Sequence, residues 1–351
     1  MTTTGSRVPA ELEDRLIPRG PDGTPMTSGS WHIPSMLTQS NGLLALGEDL
    51  GAMVDEGRPI VVATPDLAFS NGLWGFREQH PDRFLQMGIS EQNMVSVAAG
   101  LATTGLQPYV AAFSSFLALL CCEQIRTDIA YTQLPVRLIG HHSGISFGFY
   151  GTSHHATEDV AIMRTIANMT VVTPADSVQM GKAMRAYIDH PLPVFFRMGR
   201  GREPLVYEPD AEFIPGKAIV HSTGADLTII TGGSSLHPSL AAAENLRASG
   251  VDVGVIDMHT VKPIDAEAIL AAAEGSRLLM TVEEHNIIGG LGGAVAEVLT
   301  EEGAGAPLHR HGIRDEYSLV GPPTHLYKHY RLDADGIALE AREYIDRRAA
   351  R

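Results

Sequence analysis

The chain has 351 residues, 44% of them hydrophobic, and sets 26 basic side chains against 41 acidic ones. Its length exceeds an ordinary single core and suggests two domains, with ample apolar material to bury. A formal charge of -15 supplies no overall field for nucleic acid or an anionic membrane surface, so a phosphorylated ligand would need a local basic pocket.

Residues 1–34 mix Pro, Gly, Thr and charge without periodicity, and read as an arm on a partner or a leader with no chemistry of its own. No basic region precedes an apolar run, and no stretch approaches the roughly 18 apolar residues of a membrane span. From Ser35 onward helical periods alternate with short apolar runs, the mark of parallel α/β architecture. A helix over 36–56 leads into the buried strand PIVVATPD, ending at Asp66. Glu91 to Thr104 reads as a helix with Met94, Val97, Ala98 and Leu101 on one face and Gly105 as its stop.

PYVAAF is then a strand, SSFLALLCCEQIRTDIAYTQ a helix and PVRLIGHH a strand. Cys121 and Cys122 are adjacent in that helix, where neighbouring side chains diverge by about 100°, which argues against a disulfide between them and for a reduced, cytoplasmic protein. After the Gly-rich loop SGISFGFYGTSHH come a helix near 157–167, the strand MTVVTP, a helix over 176–189 and the strand PVFFRM, completing a doubly wound unit over 35–200. Residues 201–224 are rich in Gly, Pro and charge and read as a linker. DLTIITGG, VDVGVID and RLLMTVEE follow as parallel strands, with helices near 235–249, 265–274 and 290–302 and a fourth short strand at LHRHGI. These make a second doubly wound domain over 225–345.

Sites in open parallel sheets lie beyond the C-terminal ends of the strands, a rule that selects Asp66, Phe113, His141, His142 and Arg197. Ser90 suits an N-cap, and an acid in a helix's first turn is favoured by the macrodipole, so Glu91 taken alone is accounted for as a helix-start residue. Its neighbours supply the other reading. Phe113 and Phe116 fall one turn apart on a common side, and two rings with a carboxylate would hold a flat heterocycle; core packing is the alternative for the pair. The loop carries His141, His142, His154 and His155 with no Cys or carboxylate ligand interleaved and no i, i+4 spacing, which argues for hydrogen bonding and proton transfer and against a metal site. Arg197 closes an apolar strand, where it serves either an anion contact or an internal ion pair.

Four stretches, MGISEQNMVSVAAGLATTGLQPYVAAFSSF, GTSHHATEDVAIMRTIANMTVVTPAD, VKPIDAEAILAAA and VEEHNIIGGLGGAVAEVL, run in the order and at the spacing of one family. From about 36 to 345 the chain resembles the C-terminal half of transketolase, and most closely the C-terminal subunit of split, two-chain bacterial transketolases.

The resemblance implies a pyrimidine-binding domain followed by the transketolase C-terminal domain, and a two-carbon ketol transfer from a ketose to an aldehyde. By it Glu91 matches the glutamate that hydrogen-bonds N1′ of the aminopyrimidine of thiamine diphosphate and favours the tautomer that activates the cofactor. Phe113 and Phe116 resemble the rings packed on the aminopyrimidine, and Leu119 stands where a Tyr is common. Asp66 and Ser70, in PDLAFSN, resemble the segment bordering cofactor and substrate phosphate. His142 and His154 match active-site histidines, and Arg197 a phosphate-binding arginine.

Two departures bear on substrate. Where the family reads GEDGPTHQ this chain has GFYGTSHH, so Phe149 and Tyr150 replace two acids, the second of which contacts a sugar hydroxyl; Met36 falls near the place of a second phosphate-binding Arg. Fewer charged groups and more aromatic surface argue for a less hydroxylated substrate or one without phosphate. The chain also lacks the GDG segment through which the family binds Mg2+ and the diphosphate. The resemblance therefore implies an N-terminal transketolase subunit as partner, holding the Mg2+, in an α2β2 assembly with a shared cofactor. Two other readings of the same plan are the β subunit of a 2-oxo-acid dehydrogenase and a non-catalytic regulatory subunit.

Overall fold

The computed structural model describes residues 42–201 and 203–350. The N-terminal arm, Met36 and the start of the helix expected from 36 lie outside them.

Among the described residues twelve strands form two sheets. The first unit supplies β1 (Ile60–Thr64), β2 (Phe84–Gln86), β3 (Gln107–Phe113), β4 (Arg137–His141), β5 (Thr170–Val172) and β6 (Val194–Arg197). The second supplies β7 (Ile219–Ser222), β8 (Leu227–Thr231), β9 (Val253–Asp257), β10 (Thr260–Lys262), β11 (Leu279–Asn286) and β12 (Leu308–Ile313). The first sheet runs β10-β5-β6-β4-β3-β1-β2, parallel apart from β10, and the second runs β12-β11-β8-β9-β7, parallel apart from β7. This is the expected α/β class with two parallel-dominated sheets. β1, β3, β4, β8 and β9 are buried along nearly their whole length, as strands covered by helices on both faces must be.

Three apolar clusters fill the layers. One packs the helices Gly42–Asp55 and Ser177–Ala186 on one face of the first sheet. Another lies under the helix Leu236–Ala248 and the C-terminal helix Ala334–Ala349. The third is continuous between the units, joining Val95, Leu117 and Met163 to Ile256, Ile269 and Val295. Apolar burial in this shared cluster, at about 25 cal/mol per Å2, contributes to holding the two units together.

Several elements differ from the sequence expectations. β7 forms inside the expected linker, where it covers the edge of β9, and β10 leaves the second unit to pair with β5. The helix Glu91–Ala102 buries Met94, Val95, Ala98, Ala99 and Ala102, while Val97 and Leu101 stay half-exposed, so the apolar face is rotated from the expected one. The 116–130 helix contains π-type turns at Phe116–Leu120 and Ile125–Ala130, and Leu119 and Leu120 in the first of them face outward. Among the described residues no helix is long and apolar enough to cross a membrane.

Candidate active site

β1, β3 and β4 are adjacent and parallel, so their C-terminal ends deliver Asp66, Phe113, His141 and His142 to one rim. Two of these residues adopt left-handed backbone, Asp66 at φ 63° and His142 at φ 57°, a conformation that is costly for a residue with a Cβ and that clusters at functional sites. His142 is held there by its N–H to the Gly199 carbonyl at 3.0 Å.

Phe113 is the hub of the rim. Its ring lies 5.7 Å from Phe116, 5.0 Å from both His141 and His142, and 5.5 Å from both Phe147 and His154, mostly edge to face. Phe116 is 5.0 Å from His154, and Tyr150 stacks on Phe147 at 4.0 Å. The rim is thus an aromatic and imidazole wall, and the pair Phe113 and Phe116 faces histidines instead of an aliphatic core. His154 takes a 2.9 Å bond between its Nδ1 and Ser153 Oγ, and partial burial lowers its pKa, favouring the neutral ring. His141, wholly buried, is pushed down to about 3 by desolvation.

Glu91 begins its helix after β2. Ser90 stands at the N-cap position, but its hydroxyl donates back to the Met87 carbonyl at 2.7 Å, so the expected capping bond is not made. Gln92 Nε2 donates to the Leu120 carbonyl at 3.1 Å, which sets this helix start against the turn that carries Phe116. The Glu91 side chain is only 6% exposed, and among the described residues no donor reaches it. Burial, helped by the Glu91 charge, pushes the neighbouring Cys121 thiol up to about 12. A mostly buried residue whose carboxyl oxygens have no described donor and are not fully enclosed leaves that carboxyl group open to a ligand.

The remaining expected residues are placed as follows. Asp66 is exposed and paired with Gln86, whose Nε2 donates to Asp66 Oδ1 at 2.7 Å. Ser70 is half-buried beyond β1, and Leu119 is exposed in the turn that begins at Phe116. Arg197 shows the internal ion pair: its Nε donates to Asp159 Oδ2 at 2.8 Å, and its Nη2 donates to the Ala156 and Glu284 carbonyls at 3.1 and 2.8 Å. Both groups are buried, and Ser114 Oγ donates to the same Asp159 oxygen at 2.6 Å. These internal acceptors engage Nε and Nη2, so the ion pair is present and Nη1 is left for the implied phosphate contact, which remains an expectation.

Residues that the sequence did not single out complete the rim. The histidine loop closes on itself through Gly144 and Ala156, which exchange backbone bonds of 3.0 and 2.9 Å. The second unit then pins it: Glu284 accepts from Ile145 N at 2.7 Å, His155 Nδ1 meets Ser318 Oγ, and Gly321 N donates to the Gly148 carbonyl at 3.1 Å. Arg200 lies over the Phe147 ring at 4.8 Å. Burial raises the Glu284 pKa, and Glu283, accepting from Leu291 N and Gly292 N, is raised to about 7 by the same cause. Far from the rim, His309, His311 and Glu340 bring ligand atoms within 4.8 Å of one another. There His309 and His311 each hydrogen-bond through Nε2, to Glu340 and the Arg331 carbonyl, and Arg331 and Arg347 both sit on Glu340, an arrangement unfavourable to a cation.

The pyrimidine-binding domain of transketolase matches residues 41–204, and the transketolase C-terminal domain matches residues 216–337. The chain is similar to one of the subunits of the apulose-4-phosphate transketolase of Phocaeicola vulgatus, 38% identical over 83% of this chain and 93% of that one. It is also similar to a 6-deoxy-6-sulfo-D-fructose transketolase subunit of a Clostridium species, 37% identical over 82% of this chain and 89% of the relative. Among solved structures it superposes on a split-gene transketolase described as an inactive beta4 tetramer, with a TM-score of 0.80 and 38% identity, covering 86% of this chain and 97% of that one. The chain therefore belongs to the transketolase family, as a counterpart of the C-terminal subunit of split transketolases.

Proposed function

We propose that this chain is the C-terminal subunit of a thiamine diphosphate-dependent transketolase that moves a two-carbon ketol unit from a ketose to an aldehyde, and that it is active with an N-terminal subunit holding Mg2+ and the diphosphate, in an α2β2 assembly. The observation that carries the reading is Glu91, 6% exposed and without a described donor, at a helix start that Gln92 anchors to the turn carrying Phe116.

The fit to the cofactor rests on this chain's own groups. Glu91 would hold a proton against a ring nitrogen, Phe113 and Phe116 would pack on the flat heterocycle and exclude water, and Leu119 and Asp66 would border it. Thiamine diphosphate, when bound, supplies a carbon nucleophile and an electron sink for breaking the bond next to a ketose carbonyl. His142 and His154 would orient and exchange protons with substrate oxygens, and a neutral His154 can both donate and accept. Ser70 would reach the substrate from the β1 side. Tyr150, 49% exposed, offers an aromatic face to the substrate in place of a carboxylate. The two relatives act, by their names, on different sugars. The aromatic replacement supports a substrate with fewer hydroxyls to recognise, or one without phosphate.

The test reconstitutes this chain with a partner subunit and the cofactor, then offers either a ketose with an aldehyde or a 2-oxo acid with lipoamide. Ketol transfer is expected in the first mixture, and turnover only in the second would favour the dehydrogenase reading. Glu91→Ala should remove most activity while assembly, followed by sedimentation, is retained. Near-normal turnover by Glu91→Ala would refute the assignment.

A further inference from the structure

We infer that Ser318, in the second unit, is a positioning residue for the rim: by holding the His155 ring it fixes the turn that presents His154 and Tyr150 to the substrate. The inference rests on the reading of this rim as the catalytic site, and adds to it a residue from the other unit.

His154 and His155 are neighbours with different surroundings. The His154 ring sits half-buried in the aromatic wall, 5.5 Å from Phe113, 5.0 Å from Phe116 and 4.8 Å from Tyr150. The His155 ring is buried and meets the hydroxyl of Ser318, itself buried, through Nδ1. Among the described residues Ser318 is the only side chain hydrogen-bonded to that ring, and His155 Nε2 has no hydrogen-bond partner. The backbone links the two histidines: their N–H groups both donate to the Gly151 carbonyl, at 2.9 and 3.1 Å, so a shift of one ring displaces the peptide that carries the other.

The segment 318–321 is fitted to this turn along its length. Gly321 N donates to the Gly148 carbonyl at 3.1 Å, and a Cβ on Gly148 would stand 2.3 Å from the Gly321 carbonyl oxygen. Gly151, at φ 71°, would set a Cβ 2.7 Å from a Val320 methyl. The segment is in turn held by its own unit, since Leu319 N donates to Tyr330 Oη at 2.8 Å. The short helical turn Gly148–Tyr150 is thus bounded by glycines that lie against the second unit. Glycine leaves such a turn many conformations, so contacts from outside select the one observed. Ser318 carries the most weight among them, because a buried ring nitrogen that loses its partner regains one only if water enters, and the turn must lift to admit it.

The test follows His154 itself, in 1H–13C spectra of the full chain labelled with 13C-histidine and assigned with His154→Gln. Partial burial keeps the His154 midpoint below its ordinary 6.5, with His155, Tyr150 and, across Phe113, His142 as the titratable groups around it. Ser318→Ala should raise that midpoint by about half a unit or more as water reaches the ring, and Ser318→Thr, which keeps the hydroxyl, should leave it near the unaltered value. In the reconstituted enzyme Ser318→Ala should lose about tenfold in kcat/KM, mostly through KM, and Ser318→Thr should recover most of it. A His154 midpoint unmoved by Ser318→Ala would overturn the inference, as would equal losses with alanine and threonine, or a lower unfolding midpoint with neither change. A raised His154 midpoint, in a chain whose unaltered assembly shows no ketol transfer, would support the positioning contact while refuting the proposed reaction.

Discussion

Glu284 accepts the Ile145 N–H at 2.7 Å, although the carboxylate belongs to β11 of the second unit and the amide to the histidine loop of the first. The same side chain accepts from Tyr327 Oη at 3.0 Å and from Ser234 Oγ. The C-terminal unit is thereby built into the wall that carries His142 and His154.

This contact predicts a specific non-additivity. Gly144 has φ 59°, and a Cβ placed on it would come within 2.3 Å of the Glu284 carboxyl. Gly144→Ala should cost about 2–4 kcal/mol in urea unfolding, more than the ~1–2 kcal/mol of a left-handed residue alone. In a Glu284→Ala background the added cost should shrink to the backbone part. Simple additivity of the two changes would show that the clash is relieved elsewhere.

The Arg197–Asp159 pair is a second target. Arg197→Met would leave the buried Asp159 carboxylate without its counter-ion, still accepting from Ser114, and a loss of about 3–5 kcal/mol is expected. Adding Asp159→Asn to the Met variant should recover part of that loss. A surface role for Arg197 would instead leave the unfolding midpoint unchanged while raising KM.

Asp257 gives a pH-dependent signature. It is fully buried in β9, accepts from Tyr207 Oη at 2.6 Å and Gln179 Nε2 at 2.7 Å, and lies near Asp176, with His221 on the far side of the Tyr207 hydroxyl. Desolvation raises its pKa from 3.8 to about 7, so between these values the folded state holds the proton that the unfolded chain has released. Its contribution to stability therefore falls as pH rises through that window and is constant above it. Asp257→Asn keeps an oxygen for both donors and removes the titration. The variant should match the unaltered chain near about pH 4 and exceed it by about 2–4 kcal/mol near about pH 8. Equal pH profiles for the two proteins would contradict the buried, protonated carboxyl.

Tyr150 is the position where substrate choice should respond. Its ring is half-exposed and stacks on Phe147, so Tyr150→Ala should move stability by no more than about 0.5 kcal/mol. Under the proposed function the same change should alter KM for the sugar by several-fold with little change in kcat. A change confined to stability would remove this residue from the substrate surface.

How far the sequence revealed this arrangement depends on the kind of signal. Fully buried strands such as IVVAT and LTIIT stand out as short apolar runs, and the strand-end rule selects Phe113, His141 and His142, which the structure does bring together. β2, β7 and β10 are not legible, being three or four residues long and, for β7 and β10, defined by what they pair with. RLLMTVEE is legible as a strand that includes Glu283 and Glu284, but the strand runs on to Asn286, and the burial of Glu283, Glu284 and His285 comes from the first unit packing against them, which the sequence does not show. Arg197 illustrates the same limit. Its position at a strand end is readable, but its ion-pair partner Asp159 is 38 residues away in the chain.

β10 has a consequence for the chain as a whole. It leaves the second unit between β9 and the helix Ala266–Gly275, and closes the open edge of β5 in the first sheet. A protease cut near 205–215 would therefore not release two separable halves, since the downstream fragment still carries the strip that seals its neighbour. The nicked polypeptide should migrate as one particle on gel filtration and come apart only under denaturing conditions.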